Sequence, residues 1–311
     1  MEGQPMIILD GKKIADRILA ELKEEIAGKK WNLRLGAVLV GHDPVSEDYV
    51  KLKQRTGKSI GVDVRVYPIE EQELRSGNGA LSNNKLRERL NAIVEEEKND
   101  GVIVQLPLPR GLDTQRAVNA IIPKKDVDIL SAYSIGKLVA GKSAIFPPVA
   151  GAIKLLFEEQ KWDLWGKHWV MMGAGKLVGR AIAHMLEGEI SRIEQSIRNE
   201  ENAQVRAEMR RQYNLSYTVL QGENPEQHYP LLKMADVIVS GIGCAGCIIG
   251  DMIKDGVIMI DIGASKVNGK IVGDVDSASV AHKAFALSPD KGGVGPLTVA
   301  LLFRNLVAGK K

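Results

Sequence analysis

Trp169-Val170-Met171-Met172 runs straight into Gly173-Ala174-Gly175-Lys176-Leu177-Val178-Gly179, and Arg180 to Leu186 continues beyond it. Four apolar residues in a row fit a strand buried on both faces, as parallel strands are. Glycines spaced G-x-G-x-x-x-G make a turn tight enough for backbone N–H groups to approach a pyrophosphate where a helix begins. The spacing is not the common G-x-G-x-x-G, and a strand-to-helix turn with no ligand would use the same glycines. Three further strand patterns downstream, Leu215 to Leu220, Val237 to Val239 and Val257 to Asp261, favour a dinucleotide unit. Such a unit is doubly wound and Rossmann-like. It places Gly173, Ala174, Gly175, Lys176 and Gly179 around the pyrophosphate, with Gly241 and Ile242 on the loop after the Val237 strand. The strand after the turn ends Leu220-Gln221-Gly222-Glu223. A carboxylate at that tip accepts the ribose hydroxyls of NAD and repels a 2′-phosphate.

Upstream, helix and strand periods alternate. Ile14, Ile18, Leu19, Leu22 and Ile26 share a helical stripe, and Leu35 to Val40 reads as a buried strand. Asp48 to Ile60 reads as a helix, Val62 to Pro68 as a strand, Ser82 to Glu97 as a helix and Gly101 to Leu106 as a strand. Strands separated by helices of this size predict a second covered parallel sheet. Gly151 to Gln160 reads as the helix opening the second domain, and Leu297 to Val307 as a final helix. The expected division is an N-terminal α/β domain over 1–146, completed by 289–311, and a Rossmann-like domain over 147–288. Residues 188–213 carry many charges, with Ile190, Ile193, Ile197, Val205 and Met209 at helical spacing and a break at Glu201. They predict a protruding helix or helix pair, outside the sheet.

A chain of 311 residues fits two domains at about 150 residues each. With 44% hydrophobic and 26% charged residues, a sizeable core is available. The 42 basic against 39 acidic residues give a net charge of +3, too balanced to argue for nucleic acid. No apolar run reaches the length of a membrane span, and the first residues do not read as a secretory signal. Cys244 and Cys247 form a C-x-x-C pattern with no second ligand pair in reach. They read as two ordinary thiols beside the dinucleotide crevice in a reducing, cytoplasmic setting, and no metal site is expected.

The upstream domain carries its own candidate chemistry. Tyr49 and Lys53, four apart, share one helix face. The Gly101 strand delivers Gln105 at its carboxyl end, where α/β sites lie. Pro107 and Pro109 stiffen the loop beyond, and Asp126-Val127-Asp128 adds carboxylates. A lysine, an aromatic ring, an amide and a carboxylate suit a flat polar heterocycle, although a helix lysine is usually just a solvated charge.

Here the residues meet a resemblance. Asp10-Gly11-Lys12, Val40-Gly41-His42-Asp43-Pro44-Val45-Ser46, Tyr49-Val50-Lys51-Leu52-Lys53, Gly101 to Pro109, Lys125 to Asp128 and Gly292 to Ala300 occur in this order. Together the chain resembles the FolD family of bifunctional methylenetetrahydrofolate dehydrogenases and methenyltetrahydrofolate cyclohydrolases, nearly end to end. The resemblance implies an oxidoreductase and hydrolase of one-carbon metabolism that serves purine biosynthesis. Lys53 would be the catalytic lysine and Gln105 its hydrogen-bond partner. Tyr49 would stack along a reduced folate and Asp128 would anchor its pterin, while Gly292, Gly293 and Pro296 shape a loop over the cleft. NADP is the implied cofactor, and a cytoplasmic homodimer the implied assembly.

The cofactor side departs from the family pattern. Gly175 stands where the family has serine, Ala181 where it has proline, and Gln221-Gly222 where it has His-Ser. Lost hydroxyls and a missing basic residue weaken the grip on a 2′-phosphate, which leaves NAD open as the cofactor. Pro148-Val149 replaces Thr-Pro at the domain junction, Ile129 follows Asp128 where glycine is preferred, and Pro289-Asp290-Lys291 replaces Pro-Val-Pro. Three alternatives stay open: a relative retaining only the cyclohydrolase step, a dehydrogenase for another reduced pterin, and a noncatalytic interaction protein docking through 188–213.

Overall fold

A computed structural model describes residues 6–77, 79–222, 224–267 and 270–310. Its strands in chain order are β1 (Ile7–Ile8), β2 (Leu33–Val40), β3 (Val62–Ile69), β4 (Gly101–Val104), β5 (Lys167–Met172), β6 (Leu215–Leu220), β7 (Val237–Ser240), β8 (Ile258–Asp261), β9 (Ser265–Val267), β10 (Lys270–Val272) and β11 (Ala286–Leu287). The chain divides into two compact units. The first takes Ala15–Leu138, Ser143–Pro148 and the residues from Val299 onward; the second takes the residues up to Ile14, Val139–Lys142 and Val149–Thr298. This partition differs at both ends from a boundary drawn at 146 and 289. The physical reason lies in two pairings: β1 joins the second unit's sheet, and Lys12 N donates to Gly292 O at 2.8 Å.

The first unit is built on a parallel sheet of order β3-β2-β4. Its central strand is almost wholly buried, as the apolar run from Leu35 to Val40 requires. Leu86, Leu90, Ile93 and Val94 of the helix Asn83–Glu95 pack on one face with Val38, Val40, Val102 and Val104. The helix Pro44–Ile60 starts earlier than its apolar period suggests, because Asp43 caps it by accepting from Ser46 N at 2.8 Å and Pro44 fits the first turn. Gly57 of this helix lies against Val64 and Phe303, and Leu306 and Val127 close over Gly101. The end of the helix Val294–Ala308 therefore belongs to this unit's core. Asn305 fixes it by donating to the carbonyls of Val127 and Phe146 at 2.9 and 2.8 Å.

The second unit carries a sheet of order β1-β11-β8-β7-β5-β6, parallel throughout. Strand order reverses at β5, which lies between β6 and β7, so β5 and β7 bound the crevice where doubly wound sheets bind ligands. Trp169 is completely buried, stacked against Phe157 at 4.9 Å, and Trp162 meets Phe157 edge-on. The helix that follows the glycine turn runs Gly179–Asn199 and is succeeded by Ala203–Gln212, so 188–213 is mostly a helix pair. The second helix buries none of its residues, whereas Gly188 and Ile197 of the first are buried. Cys244 and Cys247 are joined as a disulfide with Cα atoms 5.6 Å apart, which corrects the expectation of two separate thiols. Two residues at i, i+3 in a turn lie within bridging range. Among the described residues no helix is long and apolar enough to cross a membrane.

Candidate active site

On the helix Pro44–Ile60 the buried positions Ser46, Val50, Gly57 and Ile60 define a stripe, and Lys53 falls on that stripe between Val50 and Gly57. A lysine on the sheet-facing side of a helix must find a partner. Lys53 Nζ donates to Gln105 Oε1 at 2.8 Å. Gln105 sits just beyond the end of β4, and its N–H donates to Val38 O at 2.8 Å, which continues the sheet ladder by one residue. Its side-chain amide donates to Leu106 O at 3.0 Å, and the residue is 8% exposed. Both ends of the amide are thus committed, and its oxygen is left facing the lysine. The Leu106–Pro107 peptide bond is cis.

Asp128 is the nearby opposite charge. Burial pushes its carboxyl up to about 6; the Lys53 ammonium opposes this rise, and Asp126 adds to it. Burial likewise lowers the Lys53 pKa, and Asp128 opposes that. Both residues retain part of their surface, so the pair is half-buried and open to a ligand. Tyr49, one turn from Lys53, is also half-buried, and its phenol is pushed up by burial.

The two carboxylates of Asp126-Val127-Asp128 are not equivalent. Asp126 is 2% exposed and accepts from Leu130 N and Ser131 N at 3.3 and 2.9 Å, so it ties the loop to itself. Between them and the following turn, Ile129 has φ 56°, a left-handed conformation that suits glycine and is costly for a β-branched side chain, about 1–3 kcal/mol. The family's preference for glycine after this aspartate thus has a backbone reason. This chain makes the turn with a buried isoleucine.

In the second unit Gly173 has φ 98°, and a Cβ there would fall 2.8 Å from Gly241 O. A Cβ on Gly179 would overlap the Gly173 carbonyl oxygen. Both glycines are therefore required by close backbone approach. Gly175 has open space around it, so the loss of the family's serine there is not forced by packing. No side chain caps the N-terminus of Gly179–Asn199, and Arg180 N turns back to donate to Gly175 O at 3.1 Å. Ala174 and Lys176 complete a glycine turn at a helix start, a geometry that can receive a diphosphate. Ile242 N donates to Asp274 Oδ2 at 2.8 Å, so this expected cofactor residue has only its carbonyl and side chain to offer. Glu223 lies outside the described residues. Gly292, Gly293 and Pro296 belong to the second unit, where Gly292 meets Lys12.

Sequence reasoning overlooked Asp261 and Asp274, both buried at the crevice end of the second unit. The glycine beside each, in Asp261-Ile262-Gly263 and Gly273-Asp274, was the available signal.

The family model described as the tetrahydrofolate dehydrogenase/cyclohydrolase NAD(P)-binding domain matches residues 147–311. The model of the corresponding catalytic domain matches residues 9–128. A bifunctional protein FolD from Caldanaerobacter subterraneus subsp. tengcongensis is 32% identical over 305 residues, covering 98% of this chain and 97% of that protein. The crystal structure of the FolD dehydrogenase/cyclohydrolase from Campylobacter jejuni has a TM-score of 0.79 at 30% identity, with 98% of each chain covered. The Trypanosoma brucei FolD, solved with NADP and an inhibitor, has a TM-score of 0.81 at 26% identity, with 99% of this chain and 98% of that chain covered. Sequence, fold and glycine cradle agree: the chain belongs to the tetrahydrofolate dehydrogenase/cyclohydrolase family.

Proposed function

We propose that this chain oxidises 5,10-methylenetetrahydrofolate to the 5,10-methenyl form and hydrolyses that product to 10-formyltetrahydrofolate. Lys53 and Gln105 carry the proton chemistry. The observation that supports the assignment is the 2.8 Å contact between Lys53 Nζ and Gln105 Oε1 beside Asp128. In the hydrolytic step water adds to the methenyl carbon, the bond from that carbon to N5 breaks, and one proton is released. Lys53, lowered by burial, relays a proton between the attacking water and N5. Gln105 holds the Nζ in place, Asp128 accepts hydrogen bonds from the pterin, and Tyr49 lies along the ring system. A bound nicotinamide dinucleotide supplies the acceptor for the hydride that leaves the methylene bridge. Gly173, Ala174, Gly175, Lys176 and Gly179 would hold its diphosphate, and Gly292, Gly293 and Pro296 shape the folate-side loop. Assembly as a homodimer, a cytoplasmic site of action and supply of formyl groups to purine synthesis belong to the same reading. Rates on methylenetetrahydrofolate with NADP or NAD, and on methenyltetrahydrofolate without nucleotide, test it. Absence of nucleotide-independent hydrolysis above the spontaneous rate would overturn it.

Asp128 gives the hydrolysis an acid limb. Its folded-state value, about 6, lies above the ordinary 3.8, so the native state holds an extra proton between those values. This contribution favours folding on the acid side and is lost as pH rises through about 6. Pterin binding runs the other way, because only the ionised carboxylate accepts hydrogen bonds with both oxygens. KM for methenyltetrahydrofolate should therefore rise as pH falls through about 6, and Asp128→Asn should flatten that rise. A KM independent of pH from 5 to 7 in the unaltered protein would refute the role.

The dinucleotide preference is open to a direct test. Gly222, with φ 98°, and Gln221, whose carbonyl accepts from His228 Nε2 at 2.9 Å, carry no permanent positive charge for a 2′-phosphate. We expect NAD and NADP to bind with dissociation constants within about tenfold of each other. Calorimetric titration with each decides; tight NADP binding with no detectable NAD binding would reverse the reading.

A further inference from the structure

Under the loop that leaves β7 lies a carboxylate with no part in the chemistry above. Asp274 is fully buried, and three donors converge on it. Ser240 Oγ and Ile242 N reach Oδ2 at 2.7 and 2.8 Å, and Cys244 N reaches Oδ1 at 2.9 Å. The same short segment holds the far end of the loop. Gly246 N donates to Gly273 O at 3.0 Å, and Ile248 N donates to Asp274 O at 2.9 Å. A buried carboxylate is tolerated only when its hydrogen-bonding capacity is met, and here one loop meets it.

The carboxylate has no freedom to drift. A Cβ on Gly263 would overlap the Asp274 carboxyl, and one on Gly273 would overlap the carboxylate of Asp261. Asp261 is itself tied down by Gly263 N at 2.8 Å and Val275 N at 2.9 Å. The loop that Asp274 grips is the one that meets the glycine turn. Gly241 O stands 2.8 Å from the Cβ position of Gly173, and the Cβ position of Gly241 is 2.8 Å from Val178 Cγ1. Any shift of Gly241 is therefore felt by the turn that receives the diphosphate.

We propose that Asp274 is a positioning residue for the dinucleotide: it locks Gly241–Cys244 against the glycine turn and through that loop sets nucleotide affinity. The proposal rests on the reading of this crevice as the dinucleotide site. Asp274→Asn is the informative change. Asparagine keeps the shape but has one acceptor oxygen, so in either amide orientation an NH2 faces Ile242 N–H or Cys244 N–H. Loss of a charge-assisted bond should weaken nucleotide binding about tenfold.

The test compares the unaltered protein, Asp274→Asn and Ser240→Ala in three measurements. These are nucleotide dissociation constants by calorimetry, amide hydrogen exchange of Ile242 and Cys244 without nucleotide, and the two reaction rates. In Asp274→Asn the expected result is about tenfold weaker binding, faster exchange at both amides, a raised nucleotide KM at unchanged kcat, and unchanged methenyltetrahydrofolate hydrolysis. Ser240→Ala, which removes one donor, should weaken binding by about twofold. Unaltered binding in a folded Asp274→Asn protein would overturn the proposal, as would an equal loss of both activities. Should that variant fail to fold, unaltered binding in Ser240→Ala overturns it instead. Calorimetry and exchange need no turnover, so an unaltered protein that binds nucleotide yet lacks both activities refutes the functional reading and leaves this proposal to its own two measurements.

Discussion

Lys53→Met is expected to slow methenyltetrahydrofolate hydrolysis by about 10²- to 10⁴-fold, the range attributed to a positioned proton-transfer group. Methionine matches the lysine stem in length and leaves the stripe of Val50, Gly57 and Ile60 in place. It removes the Nζ that reaches Gln105 Oε1, and with it the charge that holds down the Asp128 pKa. The fold should tolerate the change, because Asp128, left without the ammonium, is only half-buried and can take up a proton rather than stay as an unpaired charge. Circular dichroism and a melting curve establish folding, and the loss of methenyl absorbance without nucleotide reports the rate. A folded variant with near-normal hydrolysis would remove Lys53 from the mechanism. Gln105→Leu should cost less, about tenfold, because it leaves the amine present but no longer held.

Gly179→Ala is the counterpart on the other unit. Its Cβ would overlap the carbonyl oxygen of Gly173, a backbone atom that cannot swing aside as a side chain would. Either the helix start or the glycine turn must move by about an ångström, and such displacements of a binding element cost on the order of a hundredfold in rate. The oxidation of methylenetetrahydrofolate should fall by that factor. Hydrolysis measured without nucleotide should stay at the unaltered rate, since Lys53, Gln105 and Asp128 all lie in the first unit. An alanine variant with full dehydrogenase activity would show that the turn does not carry the diphosphate.

The elements readable from sequence were those with a period or an unbroken apolar run. Trp169 to Met172 and Leu35 to Val40 announce themselves because parallel strands are buried on both faces, and helices such as Asn83–Glu95 repeat their leucines. Strands β1 and β11 have two residues each, too short for any period, and their pairing decides which unit owns residues 6–14. Tyr49 and Lys53 are neighbours by helix geometry alone. Gln105 reaches Lys53 across 52 residues only through the β2–β4 pairing, and its role came from resemblance rather than spacing. Asp261 and Asp274 escaped notice because a buried carboxylate and a solvated one look identical in a sequence. The disulfide between Cys244 and Cys247 was equally illegible, since C-x-x-C specifies proximity and not bonding.

The strand at Ile7 pairs with Ala286, and the first unit is closed by Phe303 and Leu306. On a ribosome, β1 emerges roughly 15–60 s before its partner at ordinary elongation rates of about 5–20 residues per second. The edge of β8 that β11 will cover is bare only for the roughly 1–6 s that separate the two strands, whereas the sheet β3-β2-β4 waits far longer for the helix that fills the space beside Gly57 and Gly101. Both units are completed by residues beyond 285, so each keeps an open sheet until that stretch emerges, and the two then close nearly at once.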